Sequence, residues 1–130
     1  MKRFVPLLLL GTLPLFGEPN WAGSYDQAFA RAQKEHKGVM IMLSKKNCDA
    51  CWYMENIVFD DDALVSRLEK NFIPLQLDVH DDNVLGLTYI GTPTFYFKTN
   101  GGRTIKRLEG ASNIREFTET LAEIEKSLKK

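Results

Sequence analysis

The sequence holds two cysteines, Cys48 and Cys51, with Asp49 and Ala50 between them. Two thiols at that spacing can exchange disulfides, bind a metal, anchor a haem or close a small structural loop. On a strand-to-helix turn the first thiol sits at a helix N-terminus. There, unpaired N–H groups and the helix dipole favour the thiolate, the form that attacks disulfides. The second thiol then lies one turn in, within reach of a mixed disulfide formed on the first. Lys45 and Lys46 precede the motif and favour the thiolate further, while Asp49 opposes them. On this reading Cys48 is the nucleophile and Cys51 the resolving thiol.

The other chemistries find less support. Zinc needs two more ligands, and the only histidines, His36 and His80, fall on separate elements without ligand spacing; each reads as a surface residue. Haem attachment requires a histidine after the second cysteine, where this chain has Trp52. A purely structural disulfide stays as an alternative, although closing so short a loop stabilises little on the chain-entropy account.

The elements around the pair follow from periodicity. Ser24 and Gln27 read as a capping box, and Tyr25, Ala28, Phe29 and Ala32 share one helical face, with Gly38 as the stop. Residues 39–43 are a continuous apolar run, the pattern of a central strand buried on both sides. Cys51, Met54 and Val58 are at helical spacing. Asp60, Asp61 and Asp62 open a further helix, acids at its N-terminus, with Leu64, Val65 and Leu68 facing inward. A strand over 72–79, broken near its start by Pro74, is followed by strands at 94–97 and 103–108 joined by a turn at Asn100-Gly101-Gly102. The last helix carries Ile114, Phe117, Leu121, Ile124 and Leu128 on one face, with Asn113 and Glu116 as its cap and Lys126, Lys129 and Lys130 at its C-terminal end. This order, β-α-β early and β-β-α late, predicts an α/β fold of three layers, α/β/α, around one mixed sheet.

A second motif, Gly91-Thr92-Pro93-Thr94, stands directly before a strand, where a proline forfeits only one donor; alone it is an ordinary turn. The two motifs in this order resemble the thioredoxin superfamily over residues 24–128. Within it the chain is similar to exported thioredoxin-like proteins such as SoxW and the C-terminal domain of the membrane reductase DsbD. The similarity runs through Ser44 to Phe59, then Asn71-Phe72 and Leu77-Asp78. The resemblance implies that Cys48 attacks, that the Thr92–Pro93 bond is cis and lies against the disulfide, and that Thr92 offers backbone groups to a bound substrate strand.

The chain departs from that family at three places. The buried aspartate expected six residues before the first cysteine is Met42, and the lysine that pairs with it is Gln76. The proton relay therefore passes to Glu55 or to water. The tryptophan usual before the first cysteine is Asn47, with Trp52 on the far side, read as a core or rim aromatic rather than a substrate contact. Tyr53 and Tyr89 read as packing residues.

The chain is long enough for one domain with a real core, and its 17 basic and 17 acidic residues balance. That balance gives no sign of a nucleic-acid partner or an anionic membrane surface. Residues 1–17 are set apart: Met1-Lys2-Arg3, an apolar run from Phe4 to Phe16, then Gly17. Positive end, apolar run and small residue are the layout of a secretory signal peptide, and the run is shorter than the roughly 20 residues that span a bilayer; a retained N-terminal anchor is the alternative. The expectation is a signal peptide over 1–17 and one thioredoxin-like domain over 18–130, monomeric, without metal or cofactor, in the periplasm. Its function is thiol–disulfide exchange, reducing disulfides in exported proteins. A two-cysteine protein in an oxidising compartment lacks a reductant of its own, so an inner-membrane electron donor of the DsbD type is the expected partner. A binding module that docks peptides beside Pro93 without turnover is the alternative.

Overall fold

The computed structural model describes residues 18–128; the expected signal segment and Lys129 and Lys130 lie outside the described residues. In chain order the elements are α1 (Tyr25–Glu35), β1 (Gly38–Ser44), α2 (Asp49–Asn56), a short 3-10 turn (Val58–Asp60), α3 (Asp62–Asn71), β2 (Phe72–Asp78), β3 (Thr94–Lys98), β4 (Thr104–Glu109) and α4 (Ile114–Leu128). The four strands form one mixed sheet in the order β2-β1-β3-β4. β1 is parallel to β2 and antiparallel to β3, and β4 runs antiparallel to β3.

The apolar run of β1 explains its central place. Val39, Ile41 and Leu43 pack with Ala28 and Ala32 of α1, Ile73, Leu75 and Leu77 of β2, and Tyr96. Met40 and Met42 point the other way, into a core with Cys51, Met54, Phe59, Leu68, Phe72, Phe95, Phe97, Phe117 and Leu121. A two-residue period thus divides one strand between two hydrophobic layers. The second layer is rich in aromatic rings in edge-on contact, Phe117 meeting Phe59 and Phe95 at 5.4 Å each. The fold is α/β of three layers, as the element order predicts.

Local signals fix the helix ends. The Ser24 hydroxyl accepts the Gln27 amide at 3.1 Å and starts α1. Asp61 accepts the Leu64 amide at 2.9 Å and starts α3. Asn113 and Glu116 each accept the other's backbone amide, a complete capping box at α4.

Three boundaries differ from expectation. α1 ends at Glu35 because His36, not Gly38, takes the left-handed conformation, with φ 57° and its amide on Ala32 O. Gly38 begins β1 instead, and a side chain there would run into the Lys98 carbonyl and the Phe72 ring. The 3-10 turn precedes α3, so the helix opens on Asp62. Pro74 does not break β2: the strand is at the sheet edge, where the missing donor costs no ladder bond, and its carbonyl accepts the Ala22 amide at 2.8 Å.

Candidate functional site

β1 delivers the chain to Asn47, which turns it with φ 56°, a conformation asparagine tolerates better than most residues. Cys48 follows as the N-cap of α2, and its sulfur accepts the Cys51 amide at 3.2 Å. Cys48 and Cys51 are joined as a disulfide with Cα atoms 5.2 Å apart. Their environments differ. Cys48 is half-buried, whereas Cys51 is 1% exposed and packed into the aromatic core.

The second motif leads into the neighbouring strand β3, whose first residue Thr94 pairs with Leu43 near the end of β1. Thr92–Pro93 is a cis peptide bond. The Thr92 carbonyl lies 3.5 Å from Cys48 Sγ, and the Thr92 hydroxyl donates to the same sulfur at 3.3 Å. Pro93 is buried, and its carbonyl accepts the Gly110 amide at 2.8 Å, tying the motif to the end of β4. Cys48, Cys51, Thr92 and Pro93 therefore share one site. Sequence reasoning assigned only backbone groups to Thr92; its hydroxyl bond to sulfur was missed, because residue type alone does not give reach across 44 positions.

A cleft of about 420 Å³ opens beside the pair, lined by Ser44, Cys48, Cys51, Trp52, Glu55 and Gln76 among others. The Gln76 amide donates to Glu55 Oε1 at 2.6 Å and to Ser44 Oγ at 3.0 Å. Met42, at the position of the family's buried acid, is sealed in the core. The carboxylates lining this cleft are Asp49, Glu55 and Asp78, and Glu55 stands on α2 one turn beyond Cys51.

Other residues fall differently from expectation. Of the two places expected for Trp52, core or rim, it takes the rim, 58% exposed and bordering the cleft. Tyr53 does pack against the core, but Tyr89 is exposed. Ile90, two residues before Thr92, is 87% exposed and was not singled out by sequence. Lys46 pairs with Asp81 at 3.2 Å, and both Lys46 and Lys45 are exposed and border the cleft. The Asp78 carboxyl is held below its ordinary range, first by the His80 amide and then by the Asp81 amide, against a small opposing effect of burial. His36 and His80 are both exposed. Among the described residues no group of three or more His, Cys, Asp or Glu is placed to hold a metal ion, and no helix is long and apolar enough to cross a membrane.

Residues 25–125 match the model of a thioredoxin-like domain. The chain belongs to that family. Its fold is similar to that of a thioredoxin from Thermus thermophilus, with 27% identity, a TM-score of 0.72 and coverage of 82% of this chain and 87% of that one. The reduced C-terminal domain of DsbD from Neisseria meningitidis superposes with a TM-score of 0.60 at 21% identity, covering 75% of this chain and 91% of that domain. The periplasmic thioredoxin SoxS from Paracoccus pantotrophus gives a TM-score of 0.54 at 21% identity, covering 68% of this chain and 95% of that one. These last two likenesses concern the fold. No curated protein matches the chain in sequence. A Cys-x-x-Cys pair at disulfide distance on this scaffold makes the family member a thiol–disulfide oxidoreductase.

Proposed function

We propose that this oxidoreductase works in the periplasm and reduces disulfides in exported proteins, with residues 1–17 as a cleaved signal peptide and 18–130 as the working domain. The observation that carries the reading is the convergence of two donors, the Cys51 amide and the Thr92 hydroxyl, on Cys48 Sγ. Donors aimed at a sulfur favour its charged form, so Cys48 is the attacking thiol and buried Cys51 the resolving one.

In the reduced chain the Cys48 thiolate attacks one sulfur of a substrate disulfide. That S–S bond breaks, a Cys48–substrate disulfide forms, and the other substrate sulfur leaves as thiolate. Cys51 then gives up its proton and attacks Cys48 Sγ, expelling the second substrate thiolate. The substrate takes two electrons and, with solvent or a protein acid, two protons; the Cys48–Cys51 pair ends oxidised. Glu55, four residues beyond Cys51 and held by Gln76, takes the Cys51 proton. A substrate segment docks along Thr92 and Pro93, with exposed Trp52 and Ile90 as apolar flanks.

We read the direction as reducing because hydrogen bonds, and no ion pair among the described residues, act on the Cys48 sulfur. A strongly stabilised thiolate makes the reduced form the preferred one and the protein an oxidant. Lys46 pairs with Asp81 and Asp49 follows Cys48 in the chain, which supports a reducing pair. An inner-membrane donor of the DsbD type restores the dithiol. The monomer acts without metal or cofactor. Support for export comes from the charge and apolar pattern of residues 1–17 and from likeness to a protein described as periplasmic.

Insulin reduction tests the activity. The chain is expected to accelerate dithiothreitol-driven precipitation of insulin well above dithiothreitol alone. A rate equal to the background would leave a peptide-binding module in place of an enzyme.

A further inference from the structure

The buried part of β3, residues 94–97, carries two hydroxyls among its phenylalanines. Thr94 and Tyr96, alternate residues on one face, are 0% and 6% exposed, yet both carry hydroxyls. Packing would be served as well by valine and phenylalanine. Both hydroxyls go to the loop before Pro93. Thr94 Oγ1 donates to the Gly91 carbonyl at 2.7 Å, and Tyr96 Oη donates to the Thr88 carbonyl at 2.6 Å.

Tyr96 is held in turn from β4. Its register partner there is Arg107, whose Nε donates to Tyr96 Oη at 3.0 Å and whose Nη2 reaches the Thr88 carbonyl at 3.3 Å. The Thr88 hydroxyl lies 3.1 Å from Tyr96 Oη. A phenol donates once and accepts through its lone pairs; with its proton on the Thr88 carbonyl it accepts from Arg107 and Thr88, and its capacity is filled. Glu109 pairs with Arg107 and fixes the guanidinium. The strand thus grips the loop at residues 88 and 91, while Ile90 between them stays 87% exposed and Thr92 follows at the Cys48 sulfur.

We propose that Tyr96, backed by Arg107, is a positioning residue that sets the substrate-docking loop, holding Ile90 outward and Thr92 on Cys48 Sγ. This rests on the reading that substrates dock beside Thr92–Pro93. The loop is chosen for large partners: a protein disulfide must lie along it, whereas a small disulfide needs only the sulfur.

Tyr96→Phe keeps the ring and removes the phenol's bonds to Thr88 and Arg107. The loss of kcat/KM for insulin is expected to exceed the loss for bis(2-hydroxyethyl) disulfide by about three- to tenfold, the effect of one hydrogen bond, and to fall in KM. Arg107→Gln should act in the same direction, and the double variant should lose less than the two single effects combined, because both act on the Thr88 carbonyl. Equal losses on the two substrates, or strict additivity, overturn the proposal. Amide hydrogen exchange at residues 89–92 is read independently of turnover: it accelerates in Tyr96→Phe if the grip exists, and stays at the wild-type rate if it does not. A wild-type chain that turns over neither disulfide would sink the enzymatic reading while leaving the exchange result to decide the grip.

Discussion

The Thr92 hydroxyl stands 3.3 Å from Cys48 Sγ although 44 residues separate them. A hydrogen bond to a thiolate is charge-assisted and stronger than one to a neutral thiol, so the same contact in the reduced chain favours the Cys48 thiolate. In the reduced chain Cys48 is expected to titrate below the free-thiol value of about 8.5. Thr92→Val, which keeps the shape, should raise the midpoint by about one unit. Thiolate absorbance followed against pH measures both. A wild-type midpoint at or above that of a free thiol would mark an inert pair.

Glu55→Gln keeps a partner for Gln76 and removes the base. Release of the substrate from the mixed disulfide should slow by about a hundredfold near neutral pH. The deficit should shrink as pH rises and Cys51 ionises without help. Single-turnover release of a labelled peptide disulfide at several pH values follows this step. A deficit that is constant with pH would place the proton acceptor elsewhere, with water as the remaining candidate.

Phe117 joins α4 to the aromatic core, buried against Phe59 and Phe95. Phe117→Ala should cost about 3–5 kcal/mol, measured by denaturant unfolding. A loss under about 1 kcal/mol would mean the core collapses around the gap.

Asp78 gives a pH signature. Its carboxyl is depressed in the fold by the His80 and Asp81 amides, while an unfolded chain restores the ordinary value of about 3.9. The folded state therefore prefers the ionised form. Its stabilisation is full above the unfolded pKa and is lost as pH falls through the folded one. The stability difference between wild type and Asp78→Ala should be constant at neutral pH and shrink in that acidic window. A difference that grows on acidification would contradict the assignment.

Much of this was readable from the residues. The apolar run of β1, the caps at Ser24 and Asn113, the acids that open α3 and the face of α4 are local patterns, and local patterns fix local structure. What the sequence withheld depends on contacts between distant segments. Gly38 looks like a helix stop until the Lys98 carbonyl and Phe72 ring that require its smallness are in place. Lys46 looks like a thiolate partner until Asp81 claims it. Tyr96 resembles any strand aromatic, and only the fold brings Thr88 and Arg107 to its hydroxyl. The cysteine pair and Thr92-Pro93 were visible because they are compact motifs, but the bond between them is a tertiary fact.

The most direct measurement separates the two sulfurs. Cys51→Ser removes the resolving thiol and leaves Cys48 to form mixed disulfides that cannot be released. Expressed in cells, Cys51→Ser should carry exported proteins and the inner-membrane donor in covalent complexes seen on non-reducing gels and identified by mass spectrometry, while Cys48→Ser should carry none. If Cys48→Ser traps partners and Cys51→Ser does not, the assignment of attack to the half-buried, Thr92-bonded sulfur is contradicted.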